Sequence, residues 1–390
     1  MTLDRTIAHG LRGIVLTETR LSLIDGQAGR LVIGGFPVEE LAPKASFEEV
    51  LYVLWHDRLP SREEEAELKR EMATHRTLSE TTLGVLRSAA ERQLPPMDAL
   101  RIGVDTLSLG DEEPEDLSRD ANLRRAVRLV AAFPGILAAY WRLLQGQEPV
   151  QPREDLSHAA HFLTALHGEA PRAEAVRALE TYLNTVIDHG MNNSTFTARV
   201  IASTRSDMVS AIVGAIGALK GPLHGGAPGP AMEMVFEIQR RAQASGQSIR
   251  EEAEAWVQER LERGERIMGF GHRVYRVRDP RADVLGKAAE KLFSANDAQL
   301  YSDAKEVEAV VLRLLEAHKP GRNLQTNVEF YTALVLHGVG LDSSLFSSIF
   351  ALARVGGWSA HILEQIDEDE LIRPSSHYKG AQGRTYTLPT

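Results

Sequence analysis

The sequence contains no cysteine, which excludes a disulfide framework and cysteine-based catalysis. It also lacks the features of an exported protein. The N-terminal stretch MTLDRTIAHGLRG has no apolar core of the kind that signal peptides need, and it does not resemble a transit peptide. The uncharged apolar run at 129–141 is too short, and too interrupted by Pro134, to cross a bilayer. We therefore expect a cytoplasmic protein without a membrane-spanning segment.

Several common cofactor and catalytic motifs are absent as well. The sequence has no GxGxxG, no GxSxG and no HExxH. The glycine-rich stretch 221–229 lacks the Lys-Ser or Lys-Thr that completes a P-loop. His158 and His161 have the i, i+3 spacing of a ligand pair, but no third ligand accompanies them at a fitting spacing. We therefore interpret them as exposed helix positions rather than a metal site.

The composition is that of an ordinary globular protein. Of 390 residues, 43% are hydrophobic and 25% are charged, and this length allows about two or three domains. The net charge of −10 argues against nucleic acid as the main partner. The arginine cluster at 273–281 is a local exception, but it lacks the interleaved aromatic residues of a single-strand binder.

The residue pattern is predominantly helical. Three Ser-x-x-Glu sequences, which begin at Ser46, Ser61 and Ser248, match the capping box that opens a helix. Within 172–189 apolar residues recur at helical spacing, and Gly190 is placed to end that helix. His189 would then lie at a helix end, where its side chain can face a cleft.

The sequence predicts little sheet. One convincing strand pair, 20–25 and 30–34, flanks the turn sequence at 26–29 and indicates an N-terminal hairpin. Strands do not alternate with helices elsewhere, which excludes a Rossmann fold or a parallel barrel. The fold class that follows is all-α with a small N-terminal β-hairpin.

The segment 269–281, GFGHRVYRVRDPR, is the most informative part of the chain. It places His272 behind a Gly-x-Gly bend, with four arginines after it. Histidine can donate or accept a proton near neutral pH, and arginine binds carboxylates and phosphates through paired donors. Taken alone, the segment could equally be a basic surface loop. Two further segments favour a site, because GPLHGGA places His224 among glycines and NVEFY presents Glu329.

Together with DHGMNNSTFTAR (188–199) and FALARVGGWSAHILEQ (350–365), these segments resemble the citrate synthase family. The resemblance runs from about Gly10 to about Gly383, with five motifs in the family's order and spacing. It implies a two-domain helical fold that closes on a cleft. The large domain would comprise residues 1–222 and 327–390, the small domain residues 223–326, and the hinges would lie near His224 and Asn327.

The resemblance implies condensation of acetyl-CoA with oxaloacetate, followed by hydrolysis of citryl-CoA to citrate and CoA. Glu329 would be the base that removes a proton from acetyl-CoA. His224 would donate a hydrogen bond to the thioester oxygen, and His272 would donate one to the oxaloacetate carbonyl. No metal is expected, because these donors polarise the carbonyl groups in its place. No other cofactor is expected either, since the CoA thioester is itself a substrate.

The resemblance also implies binding residues. Those that would contact oxaloacetate are His189, His272, Arg281, Arg354 and Arg373. In the family, the position of Arg373 reaches the active site of the other subunit, so a homodimer is implied. Arg276 matches a position that contacts CoA phosphates, and Arg273 is a second candidate for that contact.

Each of these assignments has a structural alternative. An isolated histidine such as His224 is more often a buried structural residue than a functional one. A glutamate such as Glu329 usually lies at the surface, although its apolar neighbours weaken that alternative. Arg354 lies in the apolar stretch 349–358, where a charge is seldom tolerated without a partner or a ligand.

The chain departs from the family pattern at several positions. Glu329 stands where the family has aspartate, which moves the carboxylate by about one bond length. Val186 replaces the first histidine of an HxDH segment. Gly34 and Phe36 stand where the arginine and tyrosine of an RGY motif are common. These changes indicate a divergent branch with relaxed acyl-CoA choice.

Two alternative functions remain open. A 2-methylcitrate synthase, which uses propionyl-CoA, would need the same residues, since one methylene supplies only about 1–3 kcal/mol of discrimination. A non-catalytic acyl-CoA-binding or regulatory protein would need no base. The retained histidines, arginines and carboxylate argue against the second alternative, whereas glutamate in place of aspartate keeps it open.

Overall fold

The computed structural model describes residues 7–11, 13–225, 228–272, 274–294 and 298–386. Within these ranges the chain forms 16 α-helices, three short 3-10 turns and one three-stranded sheet. The helices are α1 (Val38–Leu41), α2 (Phe47–His56), α3 (Arg62–Thr74), α4 (Glu80–Glu91), α5 (Pro96–Asp105), α6 (Arg119–Leu144), α7 (His158–His167), α8 (Ala173–Val186), α9 (Asn193–Ala202), α10 (Met208–Leu219), α11 (Pro228–Ser245), α12 (Ile249–Glu262), α13 (Pro280–Ser294), α14 (Ala298–His318), α15 (Val328–Gly338) and α16 (Phe346–Glu368). The predicted all-α class is confirmed.

The three predicted capping boxes are all present, and each opens a helix. In α2 the Ser46 hydroxyl accepts the N–H of Glu49 at 3.1 Å, and the Glu49 carboxylate accepts the N–H of Ser46 at 2.6 Å. Ser61 caps α3 and Ser248 caps α12 in the same reciprocal way. Each box satisfies backbone donors that the first helical turn leaves unpaired.

The predicted N-terminal hairpin is confirmed. Strand β1 (Ser22–Asp25) pairs antiparallel with β2 (Arg30–Ile33), and the Asp25 carboxylate accepts two backbone N–H groups of the turn between them. A third strand that was not predicted, β3 (Phe36–Pro37), extends the sheet. It follows a reversal at Gly34 and Gly35, which both have positive φ, a conformation that glycine adopts without strain.

Helix α6 forms the centre of the hydrophobic core and contains the apolar run at 129–141. Helices α4, α5, α7 and α16 pack around it, and Pro134 lies inside it without ending it. By length and composition α6 could cross a membrane, but 67% of its most apolar window is buried inside the protein. That degree of burial is typical of a core helix.

The expectation that His158 and His161 are exposed is wrong. Both lie in α7 with 0% and 2% exposure respectively, and the ring of His158 stacks on Phe47 at 4.7 Å between centroids. Burial and the nearby Arg76 lower the pKa of His161 to about 3. In the part of the chain that the structure describes, no cluster of three or more histidine or acidic side chains is arranged to hold a metal.

The helix predicted at 172–189 ends earlier than expected, at Val186. Gly190 has positive φ, but it belongs to the loop that separates α8 from α9 rather than to the helix end. Asn192 caps α9 through its side chain. His189 therefore projects from a short loop between two packed helices.

Candidate active site

The predicted site residues lie at the ends of helices and in the loops between them. His189 follows α8, His224 lies between α10 and α11, and His272 lies between α12 and α13. Arg281 and Glu329 occupy the first turns of α13 and α15. Loops held by a rigid helical scaffold are a common location for functional side chains.

The ring of His272 is held in one tautomer by the loop that follows it. Its Nδ1 accepts the backbone N–H groups of Val274 and Tyr275 at 3.1 and 3.0 Å, so the proton of the neutral ring lies on Nε2. Burial and the adjacent Arg281 lower the pKa of His272 to about 4, and the ring is therefore neutral at pH 7. His272 is thus a neutral hydrogen-bond donor through Nε2.

Arg281 lies beside this donor. Its Nη2 is 3.3 Å from Nε2 of His272, so two donors face the same space, an arrangement that suits an acceptor oxygen. The guanidinium is buried and pairs with Asp279 through two bonds, from Nε to Oδ1 at 3.0 Å and from Nη2 to Oδ2 at 2.8 Å. Asp279 also accepts the N–H of Val328 at 3.3 Å, which joins the starts of α13 and α15.

His189 faces the same cluster from the opposite loop. Its ring centroid lies 5.9 Å from that of His272, and its Nε2 lies 3.2 Å from the hydroxyl of Tyr275. Burial, together with Arg281, Arg354 and His272, lowers the pKa of His189 well below its usual range. A neutral imidazole among cations can offer a hydrogen bond to an anion without the cost of burying another charge.

Arg354 is a second buried arginine at the site, with 2% exposure in the middle of α16. Its Nε donates to the carbonyl oxygen of Val186, whereas its Nη1 is buried without a hydrogen-bond partner among the described residues. Burial lowers the pKa of Arg354 to about 10, which leaves it cationic at pH 7. A buried cation with an unused donor is typical of an anion-binding position.

His224 is oriented by the start of α9. Its Nε2 accepts the N–H of Ser194 at 3.2 Å, so the ring proton of the neutral form lies on Nδ1. The Ser194 hydroxyl, 2.9 Å from the same nitrogen, also contacts Asn192 and accepts a bond from Trp358 Nε1. Burial and then Arg354 lower the pKa of His224 to about 4. His224 is therefore a second neutral donor.

Glu329 is the carboxylate of the site. It is partly buried in the first turn of α15, where the helix N-terminus favours negative charge, and the side chain of Asn327 accepts its backbone N–H at 2.9 Å. Burial raises the pKa of Glu329, although Arg281 opposes that shift. A carboxylate with a raised pKa is a stronger base than a solvated one.

A backbone bridge joins the loop of His272 to the start of α15. Phe270 pairs with Thr326 in an isolated antiparallel bridge, in which the Gly271 N–H donates to Gln325 O at 2.7 Å and the Asn327 N–H to Gly269 O at 3.0 Å. The side chain of Asn327 adds a bond to Gly271 O at 2.8 Å. The backbone beside His272 is therefore joined to the backbone that precedes Glu329.

The structure brings six of the predicted residues into one electrostatic cluster. Arg281 shifts the pKa of His189, His272 and Glu329, and Arg354 shifts that of His189 and His224. Perturbed pKa values cluster at functional sites. The arrangement can bind a small dianion between two arginines and offer neutral donors to two carbonyl groups.

The remaining predicted residues lie elsewhere. Arg276 is exposed, and it lines an open groove of about 410 Å³ together with residues of the N-terminal hairpin. Arg373 is exposed on the segment that follows α16. Arg273 lies outside the residues that the structure describes.

Sequence reasoning missed three residues that shape the site. Tyr275 contacts both His189 and His272, Asp279 orients Arg281, and Ser194 orients His224. A signal was available for Asp279, because it stands two residues before Arg281 in the same motif. No local signal links Ser194 to His224, which lies 30 positions further along the chain.

Comparisons with known proteins show the family to which the chain belongs. Residues 10–375 match the family model described as citrate synthase, C-terminal domain. A citrate synthase from Haloferax volcanii is 42% identical over 385 residues, which cover 98% of each chain. A 2-methylcitrate synthase from Mycobacterium tuberculosis is 37% identical over 97% of this chain and 92% of its own length.

A solved structure shows the same fold. The citrate synthase of Thermoplasma acidophilum, in a ternary complex with carboxymethyl coenzyme A and oxaloacetate, superposes with a TM-score of 0.86 at 30% identity and covers 98% of both chains. A family model that spans most of the chain and full-length relatives at these identities establish the family. This chain is therefore an enzyme of the citrate synthase family, an acyltransferase.

Proposed function

We propose that this enzyme condenses acetyl-CoA with oxaloacetate and hydrolyses the resulting citryl-CoA to citrate and CoA. The observation that carries the proposal is the 3.3 Å approach of His272 Nε2 to Arg281 Nη2. Because both nitrogens are donors, they favour a ligand with an acceptor oxygen at that point. Oxaloacetate has a ketone and a carboxylate on adjacent carbons, which can occupy the two donors together.

Oxaloacetate carries two carboxylates, and the site offers two buried arginines. Arg281 is held by Asp279 and Arg354 by the Val186 carbonyl, so both guanidinium groups are oriented before the substrate binds. His189, whose pKa is lowered by burial and by both arginines, adds a neutral donor. Preorganised donors of this kind strengthen binding, because little ordering remains to be done when the ligand arrives.

The condensation needs a base and a donor for each carbonyl. Glu329 removes a proton from the methyl group of acetyl-CoA, while His224 donates through Nδ1 to the thioester oxygen and stabilises the enolate. The methyl carbon then attacks the ketone carbon of oxaloacetate. His272 donates through Nε2 to the ketone oxygen, which takes up one proton and becomes the hydroxyl of citryl-CoA. This proton balances the one that Glu329 removes from the methyl group. Water then attacks the thioester carbonyl and leaves its hydroxyl on the new carboxyl group, while its other proton goes to the sulfur and CoA leaves as the thiol.

The CoA thioester is a substrate, and the proposed chemistry uses no metal or other cofactor. We assign Arg276 to the CoA phosphates, which is consistent with its exposed position beside an open groove. Arg273 is the second candidate for that contact. The ternary complex of the Thermoplasma acidophilum enzyme with oxaloacetate and carboxymethyl coenzyme A supports the same substrate pair here.

We further propose a cytoplasmic homodimer in which Arg373 completes the oxaloacetate site of the partner subunit. The exposed position of Arg373, on a segment without helix or strand, is consistent with a role outside its own subunit. The cleft would close by motion of residues 223–326 against the large domain formed by 1–222 and 327–390. Sedimentation of the purified protein tests the dimer.

A second candidate, 2-methylcitrate synthesis from propionyl-CoA, is favoured by the 37% identical relative of that name. Release of CoA with oxaloacetate, measured in parallel for acetyl-CoA and propionyl-CoA, separates the candidates. A higher kcat/KM with acetyl-CoA supports the first proposal, and a higher value with propionyl-CoA supports the second. If the protein binds the thioesters but releases CoA from neither, it is a non-catalytic acyl-CoA-binding protein.

A further inference from the structure

The N-terminal hairpin contacts the loops of both oxaloacetate-facing histidines. Ser22, at the start of β1, accepts the N–H of Gly190 at 3.0 Å and donates to the Asp188 carboxylate. These two contacts lie on either side of His189. The other end of β1 leads into the turn at Gly26, whose carbonyl oxygen accepts the N–H of Arg276 at 2.8 Å.

Gly26 is linked to His272 through Val274, which contacts both residues. A Cβ added at Gly26 would lie 2.4 Å from the carbonyl oxygen of Val274, so a side chain at position 26 would push that backbone away. The N–H of Val274 is one of the two donors to His272 Nδ1. The turn thus packs directly against Val274, whose N–H helps to keep the His272 proton on Nε2.

Asp188 is a fixed point at the other end of β1. It is fully buried, and its Oδ1 lies 3.2 Å from Nε2 of His361 in α16. Burial alone would raise the pKa of Asp188, but His361 and the Ser22 hydroxyl lower it overall. The carboxylate thus stays ionised and accepts the Ser22 hydroxyl, which anchors the loop of His189 to the sheet.

We propose that Ser22 and Gly26 are positioning residues that set the spacing of His189 and His272 for oxaloacetate. Neither residue is part of the binding cluster described above. Strand β1 acts as a spacer, since one end holds the loop of His189 and the other holds the loop of His272. The inference rests on the proposed function only in that oxaloacetate is the ligand of the two histidines.

Ser22→Ala removes the hydroxyl without adding volume, and oxaloacetate binding is measured by calorimetry in the absence of acyl-CoA. We expect about tenfold weaker binding and a similar rise in oxaloacetate KM, with the acetyl-CoA KM unchanged. The thermal midpoint should fall as well, because the buried Asp188 carboxylate loses a donor. Ser22→Thr keeps the hydroxyl and suits a strand, so it should restore binding. Ser210→Ala is the matched control, because Ser210 also donates to a carboxylate, that of Asp207, but lies at the start of α10.

Gly26→Ala tests the other end of the spacer. We expect a loss of kcat as well as weaker oxaloacetate binding, because the His272 loop is displaced and small misplacements at a reacting centre are costly. Gly84→Ala in α4, where an added Cβ meets nothing within 4 Å, is its control. Native oxaloacetate binding in both Ser22→Ala and Gly26→Ala would overturn the proposal, as would equal losses in the controls.

The binding measurement separates this inference from the proposed function. A wild-type enzyme that binds oxaloacetate but releases no CoA from any thioester would refute the proposed function, while the effect of Ser22→Ala on binding would still decide the inference. A wild-type enzyme that does not bind oxaloacetate would refute both.

Discussion

Arg354 and Val186 are joined by a hydrogen bond from the guanidinium Nε to the last carbonyl oxygen of α8. The bond fixes the plane of the guanidinium and leaves Nη1 without a partner among the described residues. Arg354 remains charged at neutral pH, because its pKa is lowered only to about 10. A fixed, buried and partly unpaired cation is suited to one carboxylate of a small substrate.

Arg354→Ala should raise the oxaloacetate KM by about tenfold to a hundredfold, because a charge-assisted hydrogen bond worth about 1.5–3 kcal/mol is lost. The acetyl-CoA KM should change little. Steady-state kinetics with each substrate varied in turn measures both. The matched control is Arg76→Ala, which removes another buried arginine, bonded to the carbonyls of Arg153 and Leu156. That variant should lose stability and keep its KM values. An unchanged oxaloacetate KM in Arg354→Ala would contradict the assignment.

Glu329→Gln should reduce condensation by about 10²–10⁴-fold, the usual contribution of a general base, while oxaloacetate still binds. Glu329→Asp should retain part of the activity, because the shorter side chain withdraws the carboxylate from its position on this backbone. CoA release and calorimetry measure the two properties separately. Glu80→Gln, which alters an exposed carboxylate in the first turn of α4, is the control. A native rate in Glu329→Gln would assign the base to another group.

The pH profile of kcat/KM should show an acid limb that belongs to Glu329. Burial raises the pKa of this carboxylate, whereas the pKa values of His224 and His272 are lowered to about 4. As the pH falls from neutrality, the base is therefore protonated before either histidine becomes charged. The residual activity of Glu329→Gln should lack this limb. Persistence of the limb in that variant would point to a different titrating group.

His161 should make the stability of the protein depend on pH. Its pKa is about 3 in the folded protein and about 6.5 in an unfolded chain, so the unfolded chain binds more protons between these values. Stability is then lost as the pH falls below about 6.5, by up to about 1.4 kcal/mol per pH unit for this group. His161→Leu should reduce the slope of unfolding free energy against pH.

Wild type and variant must be compared because Glu180 changes the pH dependence of stability in the direction opposite to His161. Burial raises the pKa of Glu180, so its contribution favours the folded state at lower pH. Urea unfolding at neutral and mildly acidic pH gives the two slopes. The exposed His377, replaced by Gln, serves as the control. Equal slopes for wild type and His161→Leu would show that the protonation of His161 is not coupled to unfolding.

Arg276→Ala should raise the acetyl-CoA KM and leave the oxaloacetate KM unchanged, and the effect should shrink at high salt because the contact is solvent-exposed. Arg278 is the matched control two positions away. Its guanidinium pairs with Asp283 and Glu308, so Arg278→Ala should reduce thermal stability without changing the acetyl-CoA KM. If Arg278→Ala raised the acetyl-CoA KM and Arg276→Ala did not, the CoA contact would belong to Arg278.

The elements that could be predicted from sequence are those fixed by contacts within a few residues. A capping box forms inside one helical turn, and a hairpin follows from a turn and two short strands, so both were found. The inward orientation of His158 and His161 depends on which face of α7 meets the core. Helices distant in the sequence determine which face of α7 is buried, so the spacing of the two residues does not predict it.

In the site, too, features set by local sequence could be predicted and features set by distant contacts could not. The motif around His272 revealed a donor beside arginines, and the charge of Arg354 in an apolar stretch indicated a ligand or a partner. The tautomers of His272 and His224 could not be predicted, because backbone N–H groups of Val274, Tyr275 and Ser194 determine which ring nitrogen carries the proton. Such bonds depend on the path of the backbone, and every residue except proline has a backbone N–H. Residue type therefore does not predict them.

The bridge between Phe270 and Thr326 has a mechanical consequence. It ties the loop of His272 to the start of α15, which carries Glu329, although α13 and α14 separate the two residues along the chain. The bridge lies beside Asn327, where the family resemblance implies a hinge, and a rotation displaces atoms near its axis least. Under the proposed closure of residues 223–326, the separation of His272 from Glu329 would therefore change little, although the two residues belong to different domains.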